Sequence, residues 1–144
     1  MFRFSLERVL EYRKRLEDEA AQALAEALHR VEDLRRRIER CRAEVLENRA
    51  ALLTPEAADG PSRLLIADYL EALRHDERRL LDDRAAWEEE ADRRRVTAVA
   101  ASRERRLLEK LKEKQAARHA RQERLNEQRV YDETATLRFK PVAF

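Results

Sequence analysis

Of the 144 residues 43% are hydrophobic and another 43% charged, and 23 Ala and 20 Leu stand against only 1 Gly and 3 Pro. Charge at about twice the globular average argues against a compact globule, and so few turn formers exclude sandwiches, barrels and Rossmann folds. With 32 basic and 30 acidic side chains the net charge is +2, so the chain as a whole is not a polyelectrolyte.

The N-terminal run Met1-Phe2-Arg3-Phe4-Ser5-Leu6-Glu7-Arg8 lacks the apolar stretch of a signal peptide. No later run approaches the roughly 18 apolar residues of a membrane span, so a cytoplasmic chain is expected. From Leu24 the apolar positions Ala27, Val31, Leu34, Ile38, Cys41, Val45, Asn48 and Leu52 alternate in steps of three and four, a heptad seam on a first helix over 5–53.

A turn over 54–61 follows, where Thr54 or Asp59 can accept hydrogen bonds from free helix N–H groups. Pro55 and Pro61 suit first-turn positions, and Gly60 can supply a positive φ. The same rhythm returns on a second helix over 62–138 as Ile66, Leu70, Leu73, Glu77, Leu80, Arg84, Trp87, Ala91, Arg94, Ala98 and Ala101. Pro141 ends it, which leaves 139–144 as a tail.

Two helices with one apolar stripe each, joined by a short connection, cover each other most simply by folding back. The expectation is all-α: one unit over 1–144, a long antiparallel two-helix coiled-coil hairpin with an overhanging C-terminal helix. Position i should face roughly position 115 minus i, and residues beyond about 114 should overhang the N-terminus. Ala on the seam gives weak cohesion, since Leu to Ala in a core costs about 2–5 kcal/mol. The charged layers Glu77, Arg84 and Arg94 weaken it further unless their stems lie along the seam with the heads in water.

Nothing in this chain marks an enzyme. His29, His75 and His119 have no second His at metal-ligand spacing, one glycine makes no phosphate loop, and a two-helix rod has no pocket to perturb carboxylates. No catalytic residue, cofactor or metal is therefore assigned. Cys41, the only cysteine, reads as a small buried hydrophobe on the seam.

Charge is unevenly placed, with 12 basic and 7 acidic residues in 103–144. The basic ones include Arg103, Arg105, Arg106, Lys110, Lys112, Lys114, Arg118, Arg121 and Arg124. Nucleic acid is disfavoured as a partner, because acids intervene and no Phe, Tyr or Trp lies between Trp87 and Tyr131 to stack on bases. Trp87 is read as packing and Tyr69 as a contact anchor.

The two ends together resemble the flagellar FliJ family. The opening carries Phe2-x-Phe4-x-Leu6-Glu7-x-Val9-Leu10-x-x-Arg13 followed by Glu19-Ala20-Ala21. The closing half carries Arg105-Arg106-Leu107-Leu108-Glu109-Lys110-Leu111-Lys112-Glu113-Lys114-Gln115, then Glu127-Gln128, Asp132-Glu133-x-Ala135 and Arg138. The resemblance implies a non-catalytic stalk of the flagellar type III export apparatus, needed for flagellum biogenesis, motility and chemotaxis. It would sit in the pore of the hexameric export ATPase, link that ring to the cytoplasmic part of the export gate, and act as a general export chaperone that meets other export chaperones.

Carried over by matching position, the ring contacts would be Phe4, Leu6, Leu10, Arg13, Lys110, Lys112, Lys114, Asp132, Glu133 and Arg138. Gate contacts are expected at Tyr69, Leu73 and Leu80. The implied protein is a monomer when alone, with no membrane insertion of its own, cytoplasmic and peripheral to the membrane through the apparatus. An injectisome stalk and a generic coiled-coil scaffold dimer remain alternatives, as does membrane or nucleic-acid binding through the basic overhang.

Overall fold

A computed structural model of the chain describes residues 1–55 and 59–139. Positions 56–58 of the expected turn and 140–144 of the expected tail lie outside the described residues. Two helices, α1 (Glu7–Leu52) and α2 (Gly60–Arg138), account for almost all of the rest, and among the described residues there is no strand. They pack against each other as an antiparallel hairpin. The chain divides into two compact units, Met1–Glu17 with Ala100–Phe144, and Asp18–Val99.

The Asp18–Val99 unit contains the turn and most of the apolar core. Every expected seam position on α1, from Leu24 to Leu52, is buried or half-buried. Ala27 and Ile38 are 0% and 1% exposed, and Cys41, Val45, Leu70 and Leu73 form one cluster against which Leu52, Ile66 and Leu80 pack. Removing a Val, Leu or Ile side chain from water contributes about 1.5–3 kcal/mol, so this cluster is the main cohesive force of the unit.

The charged layers behave as their stems allow. Glu77 accepts from Arg42 Nε at 2.6 Å, and Arg94 donates to the Ala23 carbonyl at 2.7 Å while its Nε reaches Glu90 at 3.0 Å. Among the described residues no charged side chain is buried, because each head turns outward along the seam edge. Trp87 is half-buried between the Arg30 and Arg94 guanidinium groups, 5.5 and 5.6 Å from its ring centre.

The turn differs from expectation in two details. Thr54 does not accept from a helix N–H; its hydroxyl donates to the Ala51 carbonyl at 2.7 Å and closes the end of α1. Gly60 does not take a positive φ, because it is already the first residue of α2; apart from its chain neighbours and the helix's own backbone, nothing lies within 4 Å of where a Cβ would sit. Asp59 holds the cap position, its carbonyl accepting the first helical bond from Arg63 N–H at 3.2 Å. Pro61 then falls in the first turn, where its missing N–H costs nothing.

In the other unit, Leu10 is 1% exposed and Phe4 is also buried. The α2 seam does not stop at Ala101: Arg105, Leu108, Lys112, Gln115 and His119 continue it, all half-buried. The expected register holds near the turn, where Cys41 meets Leu73. It slips by about one turn in the unit that holds the termini, where Glu7 meets Lys112. Residues 1–4 are not helical, and chain outside a helix can cover up to about twice the length per residue that helix does. Phe2 consequently reaches His119, with ring centroids 5.6 Å apart, and the overhang begins near 120 rather than 114.

Candidate functional site

All ten positions carried over as ring contacts fall in the unit formed by Met1–Glu17 and Ala100–Phe144. Phe4 and Leu10 are buried there, so they shape the unit rather than its surface, whereas Leu6 is exposed. Arg13 is bonded to Glu104 across the two segments. Lys112 donates to Glu7, with N and O 2.8 Å apart. Lys110 and Lys114, one residue to either side of Lys112, point into solvent, as do Asp132, Glu133 and Arg138 on the last turns of α2.

Arg105, the first residue of the closing motif, pairs with carboxylates on both helices. Its Nε and Nη2 donate to the two oxygens of Glu17 at 2.6 and 3.1 Å, and its Nη1 donates to Glu109 at 2.6 Å. The hydrogen bond from Arg105 holds the Glu17 carboxyl below the usual value, and the same bond raises Arg105 further above its own. Lys14 approaches Glu109 at 3.9 Å, and the N-terminal ammonium approaches Glu123 at the same distance. The place of Arg105 on the seam had a signal in the heptad count, which reaches it one step past Ala101, but its partners did not.

The three positions expected to meet the gate lie in the Asp18–Val99 unit but differ in access. Tyr69 is exposed, its hydroxyl donating to Glu44 at 2.8 Å, and that bond raises its phenol above the ordinary value. Leu73 belongs to the core, its carbonyl accepting from Cys41 Sγ at 3.2 Å, and Leu80 is half-buried against the same cluster. Burial pushes the Cys41 thiol up, away from thiolate character, which fits a packing role. An open groove beside Cys41, Leu73 and Leu80 is rimmed by Arg37, Arg40, Asp76 and Asp83.

Among the described residues no His, Cys, Asp or Glu group is arranged to hold a metal ion, and no helix is long and apolar enough to cross a membrane. No curated protein and no solved structure matches the chain. A family model described as Flagellar FliJ protein matches residues 2–141. That match takes in both helices and both of the end segments just described, and the chain belongs to the FliJ family of flagellar type III export components.

Proposed function

We propose that this protein is the non-catalytic stalk of the flagellar export ATPase complex. The unit that carries the termini enters the pore of the hexameric ring, and the unit that carries the turn meets the cytoplasmic part of the export gate through Tyr69 and its exposed neighbours. The protein is cytoplasmic, held at the membrane by the apparatus, and also serves as a general export chaperone. The observation that carries this reading is the gathering of all ten carried-over positions into one unit, although they are drawn from opposite ends of the sequence.

A single hairpin in a sixfold ring meets each subunit differently, so it favours one nucleotide state at one position and another elsewhere. A ligand shifts an equilibrium only through such differential affinity. Adding the protein to its cognate ATPase is therefore expected to promote ring assembly or ATP turnover. Neutralising Lys110, Lys112 and Lys114 together is expected to reduce that gain by about tenfold or more, given about 1 kcal/mol or more for each charge pair formed at an interface. Turnover measured with and without the protein, wild type and variant, checks this; no gain in either comparison contradicts it.

A further inference from the structure

On α2 between 103 and 121 the charges are sorted by face. At 100° per residue, Arg103, Arg106, Lys110, Lys114, Arg118 and Arg121 fall within an arc of roughly 120° opposite the seam, in a line about 27 Å long. All six are exposed, and none makes an ion pair with another described residue. No acidic side chain lies within that arc, and Glu113 lies just outside its edge. Glu104 and Glu109 instead face the α1 side, where Arg13, Lys14 and Arg105 neutralise them. Leu107, 67% exposed, and Leu111 share the side of the helix that bears the cations.

We infer that this face is a docking surface for anionic phospholipid headgroups. A convex line of cations has no cleft to fit a small anion, but a headgroup plane meets it along its whole length without shape complementarity. The exposed leucines add what a lipid interface accepts and a phosphate backbone does not use, a shallow apolar contact between charges. Bases would need aromatic platforms, which this segment lacks. The inference goes beyond the stalk reading, and Lys110 and Lys114 belong to both surfaces, so ring and lipid exclude each other. The membrane thus holds the free protein at the surface where the export apparatus is built, and the ring displaces it.

The test is co-sedimentation of the full chain, with no ATPase present, with vesicles of phosphatidylcholine alone or mixed with phosphatidylglycerol, at an ionic strength of about 0.15 M. Binding is expected only to the mixed vesicles and should fall steeply as salt is raised. The R106E/K110E/K114E variant should lose binding by at least about a hundredfold, since each cation near such a surface is worth roughly fivefold. The control R40E/R74E/R78E changes net charge equally on the other unit and should bind as wild type. Far-UV circular dichroism and the milder K110Q/K114Q pair separate loss of binding from loss of fold. Equal binding to both vesicle types, unchanged binding of the first variant, or equal loss in the control overturns the proposal. Failure to bind vesicles while a DNA duplex is retained overturns it in favour of nucleic acid. Because the ATPase takes no part, this result and the turnover result stand or fall separately.

Discussion

Ile38 shows what a single side chain does in a structure with only one narrow seam. It is almost wholly covered, so truncation leaves a cavity that neighbouring residues fill only in part. Ile38→Ala is expected to lower the unfolding free energy by about 2–5 kcal/mol, against well under about 1 kcal/mol for Leu46→Ala on the exposed face, measured by urea denaturation. Glu17 gives a pH signature of opposite origin. Its folded pKa is lowered by the bond from Arg105, so its contribution is fully present above the ordinary value of 4.5 and is lost as pH falls through the depressed value. Glu17→Gln should flatten thermal stability over that acid window, and an unchanged acid slope would contradict the assigned pairing. Residue identity on the seam was readable before the structure because steps of three and four need no tertiary information. The role of Arg105 was not, since a charge on a seam looks like a fault until its partners on the other helix are known.

At the scale of elements the two units differ in what holds them. Among the described residues the Asp18–Val99 unit buries eight hydrophobic side chains, whereas the terminal unit buries Phe4 and Leu10 and relies on cross-helix pairs such as Arg105–Glu17 and Lys112–Glu7. Salt screens partly exposed pairs and leaves apolar burial intact. Hydrogen exchange in high salt should therefore accelerate in 7–17 before it does in 31–45, and equal protection factors in both segments would argue against this division. At the turn, Gly60→Ala is expected to change stability by less than about 1 kcal/mol, because the entropy removed from the unfolded chain is opposed by the clash of the new Cβ with the Pro61 ring. The proline-bracketed break marked the turn in the sequence, and the helices run over Glu7–Leu52 and Gly60–Arg138. The conformation of Gly60 was not legible, since glycine permits a positive φ without requiring it. The later overhang was hidden too, because heptad counting cannot show that residues 1–4 leave the helix, and it does not reveal a register slip already present at Glu7.

For the whole molecule, the apolar seams of α1 and of α2 as far as His119 are buried or half-buried, and the overhang beyond carries only scattered exposed residues such as Leu125 and Val130 for a second chain to zip onto. Multi-angle light scattering should give one species near 17.1 kDa, and a dimer would favour the scaffold alternative instead. Family membership was legible at the two ends, where side-chain identity departs from what any coiled coil needs. Between about 25 and 100 the heptads specify a hairpin and little else, and the surface proposed to meet the gate is correspondingly the least determined by sequence. Tyr69 is exposed there, while Leu73 belongs to the core. The most direct measurement is electron cryo-microscopy of the co-purified ATPase complex. The account predicts one copy per ring, with two antiparallel helices inside the pore and residues 100–139 among the ring contacts. A vacant pore, or the chain bound only on the outside of the ring, would contradict it.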